Sequence, residues 1–443
     1  EVCSPALNEG LLTANERLYN HLLYGISVTE FVDGKKASPT VALIDWQNPA
    51  NNSFVFTEEF TVTRSGGVES RRPDIVCFVN GIPLVVIEAK RPDGNAKKGP
   101  TIDEGISQSL RNQRHDEIPL LFAYNQMLLS INGNEGRYGT CGTAAKFWAA
   151  WREEDISDAE MHAIKNKRLK DEQLAGLFSH RPAKDLDWYQ SLTAAGELAV
   201  TGQDQLLISL LSPARLLEMT RYLTLFDKKA GKIVARYQQV FGIKRLIARI
   251  NTRSVTGGRE GGVIWHTTGS GKSFTMVFLS KALILHESLK QCRIVVVTDR
   301  VDLETQLSKT FASGGELAGK KDKEAAMATS GKRLAEQIGK GTERIIFSLI
   351  QKFNTATKMP ECVNNSSDII VLIDEGHRSQ GGENHIRMKQ ALPNAAFVAF
   401  TGTPLLKDDK TTNKFGPIVH AYTMQRAVED QTVTPLLYEE RIP

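Results

Sequence analysis

The stretch Gly262-Val263-Ile264-Trp265-His266-Thr267-Thr268-Gly269-Ser270-Gly271-Lys272-Ser273-Phe274-Thr275-Met276-Val277-Phe278-Leu279 decides how the C-terminal half is read. A short apolar run leads into a small-residue turn, and an apolar helix follows. Gly269 and Gly271 let the backbone approach a phosphate closely, and successive amides cradle the anion at the helix N-terminus. Lys272 is placed to reach the β- and γ-phosphates, and the Ser273 hydroxyl to hold Mg²⁺. Thr268, Gly269, Ser270, Gly271, Lys272 and Ser273 are therefore the candidate ATP-binding residues. The strict phosphate-loop pattern places glycine where this chain has His266. The competing reading is a glycine-rich turn before a core helix.

Downstream stands Asp368-Ile369-Ile370-Val371-Leu372-Ile373-Asp374-Glu375-Gly376-His377-Arg378. An apolar strand ends at two adjacent carboxylates, and open α/β sheets bind ligands at that edge. Asp374 is placed to share Mg²⁺ with Ser273, and Glu375 to orient or deprotonate the attacking water. Phe397–Thr401 with Gly402, Thr403 and Pro404 forms a strand ending in a turn suited to sensing the nucleotide state, so Thr401, Gly402 and Thr403 are the motor-coupling candidates. Arg300, Gln351 and Lys352 close two further strand-to-helix turns and are candidate DNA contacts. A purely structural turn explains them equally well. Expected strands are Gly262–Trp265, Arg293–Thr298, Arg344–Ser348, Ile369–Ile373 and Ala395–Thr401, each an apolar run without alternation, as a two-face-buried parallel sheet requires. The segment Gly314–Gly341 is expected to contain an exposed loop.

The N-terminal half carries a second centre. Arg71-Arg72-Pro73-Asp74 precedes one apolar run, Asn80-Gly81 marks a hairpin turn, and a second run ends in Glu88-Ala89-Lys90. Glu88 and Lys90 share a strand face. Asp74 joins them only in the right register, because residues facing across a hairpin have position numbers of constant sum. A plain two-residue loop at 80–81 gives an odd sum and sends Asp74 and Glu88 to opposite faces. A three-residue loop or one bulge makes the sum even; the three-residue loop would make them diagonal neighbours, roughly 7–8 Å apart. In register, Asp74, Glu88 and the Ala89 carbonyl form a site for Mg²⁺, a hard ion that prefers oxygen. Such an ion polarises a phosphodiester and lowers the pKa of a bound water. Lys90 is placed to stabilise the phosphate or position the water. An ordinary hairpin with charged strand ends is the alternative, although ionisable groups closing a buried run are costly without a purpose.

The chain of 443 residues exceeds one core. We expect a mixed α/β domain over 1–150, a helical connector over 151–231 and a parallel-sheet lobe over 232–443. The connector's charge runs are expected to be solvated helix faces, and its expected role is to relay the state of the C-terminal lobe to the N-terminal site. Net charge is only +4, from 55 basic and 51 acidic residues, so any DNA surface is a local patch. The five scattered cysteines form no CxxC pair, which suits a reducing cytoplasm and argues against structural zinc. No apolar run is long enough to span a membrane, and no signal segment opens the chain.

The C-terminal motifs resemble, in order and spacing, the first motor lobe of superfamily-2 helicases. That resemblance implies a RecA-like lobe and an adenine-reading glutamine just upstream, here Gln239 rather than Gln238. The N-terminal hairpin resembles PD-(D/E)xK nucleases, a restriction-endonuclease-like fold. It implies an auxiliary role for Gln108, with Asn112 at a position where relatives often carry tyrosine, and Glu16 as a further acidic candidate. Arg111 and Arg114 are phosphate contacts or plain helix surface.

The whole order, including Pro119–Asn125, Asn132-Gly133 and Tyr138-Gly139-Thr140, resembles the restriction (motor) subunit of type I restriction–modification enzymes, ending after the first lobe. The resemblance implies ATP-driven translocation of double-stranded DNA with cleavage far from the recognition site. It also implies assembly with methyltransferase and specificity subunits, which use S-adenosylmethionine. With the second lobe absent, the polypeptide is expected to bind ATP weakly and turn it over poorly. A stand-alone repair or recombination helicase–nuclease, a type III restriction subunit and a DNA-binding scaffold with an inactive motor are the alternatives. The nuclease preceding the motor counts against type III, and the intact Asp74, Glu88, Lys90, Lys272, Asp374 and Glu375 count against the scaffold.

Overall fold

The computed structural model describes residues 5–33, 35–92, 101–227, 229–298, 301, 308, 326–374, 382–403 and 415–434. The chain divides into two compact units, Glu1–Arg221 and Tyr222–Pro443.

In the first unit, helix α1 (Leu11–Tyr24) buries Ala14, Leu18 and Leu22 at helical spacing. A five-stranded sheet follows, built from β1 (Phe54–Glu58), β2 (Ile75–Val79), β3 (Ile82–Ala89), β4 (Met127–Ile131) and β5 (Gly136–Gly139), in the order β5-β4-β3-β2-β1. Only β3 and β4 run parallel. The crossover between them carries α2 (Thr101–Asn112) and α3 (Pro119–Tyr124). On α2, Ile102 and Ile106 pack with Val76, Val86 and Leu128. The central strand β3 is covered on both faces, which is why Leu84 to Glu88 are all buried.

Five helices complete this unit: α4 (Asp158–Lys165), α5 (Asp171–Phe178), α6 (Ala183–Ala194), α7 (Gly202–Leu210) and α8 (Pro213–Tyr222). The unit boundary at 221/222 places this helical stretch with the N-terminal sheet. Lys165 on α4 pairs with Asp204 on α7 at 2.7 Å. In the charge run after Trp151, Glu154 and Asp155 are exposed as expected, but the run is not helical and Glu153 is not solvated. Glu153 is buried and accepts from the Trp151 indole at 2.9 Å, while the buried Arg215 guanidinium lies against Glu153, Asp155 and Glu218. Charges separated by sixty residues of sequence make this cluster, so local charge density could not reveal it.

The second unit opens with a hairpin of β6 (Thr224–Asp227) and β7 (Gly231–Val234) and helix α9 (Tyr237–Asn251). Its core is a six-stranded, wholly parallel sheet: β8 (Gly262–His266), β9 (Arg293–Thr298), β10 (Ile345–Leu349), β11 (Ile369–Asp374), β12 (Ala396–Thr401) and β13 (Ile418–Tyr422). The order is β10-β9-β11-β12-β8-β13. Helices α10 (Lys272–Leu285), α11 (Gly331–Lys340), α12 (Ile350–Ala356), α13 (Gly382–Ala391) and α14 (Met424–Glu429) connect or follow the strands. Five strands lie where apolar runs predict them. The edge strand β13 was not predicted, since Ile418-Val419-His420-Ala421-Tyr422 mixes polar with apolar positions. Residues Gly331–Lys340, inside the segment expected to contain a loop, are helical and bury Leu334 and Ile338 on one face. Most of the rest of that segment lies outside the described residues. No helix among the described residues is long and apolar enough to cross a membrane.

Candidate functional site

The hairpin answers the register question with a bulge. Asn80 and Gly81 both have positive φ (52° and 80°), as a two-residue type I′ turn demands. Val79 faces Ile82 and Phe78 faces Pro83, so the sum there is odd and the three-residue loop does not form. Beyond Leu84 the pairing shifts to Cys77 with Val85 and Ile75 with Ile87, and the sum becomes even. Leu84 is thus the extra residue of a β-bulge in β3. The next pair in register is Asp74 with Glu88, directly opposed rather than diagonal.

The bulge is clamped from the neighbouring strand. The Asn125 side-chain amide donates to the Pro83 carbonyl at 2.6 Å, and the Gln126 backbone N–H donates to the Leu84 carbonyl at 2.7 Å. Without these partners the Pro83 and Leu84 carbonyls would go unpaired where the ladder is broken. Neither residue was singled out for this role from the sequence, because the need for a clamp exists only once the bulge does.

The three ionisable groups converge. Lys90 Nζ lies 3.3 Å from Asp74 Oδ2 and 3.4 Å from Glu88 Oε2. The Ala89 N–H donates to Asp74 Oδ2 at 2.7 Å. Glu88 has no exposed surface, whereas Asp74 is 36% exposed, so Glu88 forms the floor and Asp74 the mouth. Burial, and then the Asp74 charge, push the Glu88 carboxyl up to about 8 against the opposing pull of Lys90. Glu88 Oε1 is buried without a hydrogen-bond partner. An orphaned carboxylate oxygen facing a second carboxylate suits a hard divalent cation. Among the described residues no group of three or more His, Cys, Asp or Glu side chains is arranged to hold a metal ion, so a cation here relies on these two carboxylates with backbone or solvent oxygen.

Helix α2 closes the floor. A Cβ on Gly105 would stand 2.2 Å from Ser130 Oγ and 3.4 Å from Glu88 Cβ, so only glycine lets the helix approach. A glycine inside a helical pattern is the signal that could have found this position. Gln108 is half-buried one turn further along α2. Asn112 is buried with its Oδ1 accepting from Arg111, an arrangement that leaves no stacking surface there. Glu16 is half-buried on α1.

In the second unit, β8 ends at His266 and α10 begins at Lys272. Gly269 and Gly271 have φ of 86° and 88°, a backbone that only glycine adopts without strain. No side chain caps α10, so its first amides face the loop, ready for an anion. Ser270 Oγ donates to the Thr267 carbonyl at 2.6 Å and holds the turn shut. Gln239 Nε2 donates to the Gly271 carbonyl at 3.1 Å and Thr275 Oγ1 at 3.2 Å, while its Oε1 accepts from the Arg236 N–H. Gln239 is thus built into the phosphate loop, and Gln238 Nε2 is buried without a partner. His266, in the glycine position of the strict pattern, is fully buried with Nε2 2.9 Å from His420 Nδ1. Burial, with His420 and Lys272 nearby, holds its pKa well below the usual imidazole value, so it is neutral.

Asp374 is buried at the C-terminal tip of β11, on the sheet edge that also carries the phosphate loop. Thr401 ends β12 and accepts from the Thr403 N–H at 3.2 Å. Glu375 and Arg300 lie outside the described residues. Lys352 donates to the Ala328 carbonyl at 2.7 Å, so its ammonium is engaged within the lobe, and Gln351 is exposed on α12.

Residues 2–147 match the family model of the type I restriction enzyme R protein N terminus, and residues 238–443 match the SWI2/SNF2 ATPase model. The chain is 33% identical to the type I restriction enzyme HindI endonuclease subunit of Haemophilus influenzae, over 97% of this chain and 39% of that one. It is 31% identical to the MjaIXP endonuclease subunit of Methanocaldococcus jannaschii, over 96% of this chain and 38% of that one. The chain therefore spans about two-fifths of the length of these relatives. Among solved structures it aligns with the UvsW helicase of bacteriophage T4 at a TM-score of 0.33 and 15% identity, over 60% of this chain and 94% of that one.

Proposed function

The chain is a relative, along nearly its whole length, of the type I restriction enzyme endonuclease subunits, and on that premise we propose that it is the nuclease-and-motor portion of such a subunit. The reading has the first unit cut double-stranded DNA and the second unit bind ATP to drive translocation along it. The observation that carries it is the bulge at Leu84, which brings Asp74, Glu88 and Lys90 to one point where a plain turn would separate them.

In this reading Asp74 and Glu88 hold Mg²⁺, which when bound polarises the scissile phosphate and activates water. Glu88 would hold the cation as the ionised carboxylate, its proton passing to solvent. Lys90, which bridges the two carboxylates, turns to the non-bridging phosphate oxygens and stabilises the charge that develops there. The Ala89 N–H fixes the Asp74 carboxylate, so its position costs no rearrangement during the reaction. Gln108 is assigned to the approach of substrate over α2.

In the second unit the backbone amides of 268–272 and Lys272 bind the phosphates, and Ser273 with Asp374 holds the Mg²⁺ of the nucleotide. Glu375 orients the attacking water, and Gln239 reads the base while steadying the loop. Thr401, Gly402 and Thr403 couple the nucleotide state to DNA, for which Arg300 and Gln351 supply contacts. Methyltransferase and specificity subunits are the partners, and S-adenosylmethionine enters only through them.

The test is reconstitution of the full-length protein with its candidate methyltransferase and specificity subunits on unmethylated and methylated DNA. ATP- and Mg²⁺-dependent cutting of the unmethylated substrate alone supports the reading. Cutting that ignores ATP, or that survives Asp74→Ala, overturns it.

A further inference from the structure

We propose that Trp265 is a positioning residue of the motor, the pin that seats the Thr401–Thr403 turn on the phosphate-binding lysine. The inference rests on the ATP-motor reading above and adds the physical link between its nucleotide loop and its coupling turn.

Trp265 stands one residue before the end of β8, paired with Thr401 of β12 on one side and Ala421 of β13 on the other. Its indole N–H leaves its own strand and donates to the Gly402 carbonyl at 3.1 Å. Thr401, fully buried, shapes the same turn by accepting from the Thr403 N–H. The turn is thus fixed at both its side chain and its carbonyl. What this orientation achieves is visible at Gly402. A Cβ there would meet Thr268 Oγ1 at 2.9 Å and Lys272 Nζ at 3.0 Å. The Gly402 backbone therefore rests directly on the phosphate loop and on the ammonium that reaches for the phosphates.

The side chain is only half-buried, so packing alone does not call for tryptophan. Phenylalanine would fill much of the same space; the N–H is what it lacks. Any movement of Lys272 toward bound phosphate changes the contact under Gly402. With its carbonyl pinned, the turn must respond as a unit instead of flipping one peptide. A freed carbonyl would let the turn relax locally, and the signal would stop there.

Among these 443 residues Trp265 is the only tryptophan after residue 221, the other four being Trp46, Trp148, Trp151 and Trp188, and subtracting the Trp265→Phe emission isolates its signal from every other tryptophan. This gives the test a direct optical readout. In the full-length protein, the emission difference between wild type and Trp265→Phe is recorded with and without ADP or a non-hydrolysable ATP analogue. The expected result is a nucleotide-dependent change in that difference signal. In parallel, Trp265→Phe should keep its nucleotide Kd within about twofold while DNA-stimulated turnover falls about fivefold, the effect of losing one neutral hydrogen bond. A purely structural residue would move binding, thermal stability and basal turnover together. Gly402→Ala drives a methyl onto Lys272 and Thr268 and should weaken nucleotide binding together with DNA stimulation, in contrast to Trp265→Phe. A Trp265 signal blind to nucleotide, or full DNA stimulation in Trp265→Phe, overturns the pin. A wild-type protein whose ATPase ignores DNA overturns the motor reading instead, and the optical measurement then still decides the pin.

Discussion

Replacing Glu88 by glutamine removes the ionisable floor of the first unit's site while keeping its shape. Burial, first, and then the Asp74 charge push the Glu88 carboxyl up to about 8 from its ordinary 4.5. The folded state therefore keeps a proton that the unfolded chain releases above about pH 4.5. A raised carboxyl pKa contributes stability that is complete at low pH and is lost as pH rises through the folded value. At about 1.4 kcal/mol per pH unit, the span from 4.5 to about 8 sets a ceiling of roughly 5 kcal/mol. Glu88→Gln has no proton to lose. Relative to wild type it should gain stability steadily between pH 5 and pH 8 and level off above. The assay is denaturant unfolding in EDTA from pH 5 to pH 9, following the first unit through its four tryptophans. With Mg²⁺ the wild type should recover stability at the alkaline end, where the ionised carboxylate receives the cation, and Glu88→Gln should not. A stability difference between the two proteins that does not vary with pH would refute the argument that burial governs this carboxyl.

Four further outcomes follow from the same geometry. Inserting one alanine between Val85 and Val86 moves Glu88 by one place in the register, sends Asp74 and Glu88 to opposite faces and should abolish cleavage while leaving nucleotide binding in place, measured on the same preparation. Asn125→Ala leaves the Pro83 carbonyl without its side-chain donor and should cost about 1–3 kcal/mol in denaturant unfolding, with a matching loss of Mn²⁺ affinity at Asp74 and Glu88. Gly105→Ala forces a methyl to within 2.2 Å of Ser130 Oγ; overpacking of this kind costs about 1–3 kcal/mol, so the first-unit melt should fall while a fluorescent nucleotide binds normally. Lys272→Ala should abolish binding of that nucleotide yet leave Mn²⁺ affinity at Asp74 and Glu88 unchanged.

Much of this molecule was readable from its residues. Five of six strands in the parallel sheet announce themselves as uninterrupted apolar runs, because a strand buried on both faces has no polar alternation to confuse the reading. The phosphate loop is equally plain, since Gly269, Gly271, Lys272 and Ser273 act through local backbone geometry and chain order. Residues 375–380 carry Glu375 and lie outside the described structure, so its placement stays a proposal. Strand β13 escaped because an edge strand needs only one buried side. The buried Glu153–Arg215 cluster escaped because its partners lie far apart in sequence.

The sequence by itself determined which chemical groups are available and, through the parity of the hairpin, stated that Asp74 and Glu88 meet only if one residue is inserted or one turn lengthened. Side-chain period along a strand is a property of the chain, so that condition needs no folded structure. Which solution the protein adopts was decided by tertiary structure alone. The bulge at Leu84 persists because Asn125 and Gln126, forty residues away and brought alongside by a parallel strand, satisfy the Pro83 and Leu84 carbonyls. Hydrogen bonds between distant segments leave no local trace, and only the assembled sheet could select them.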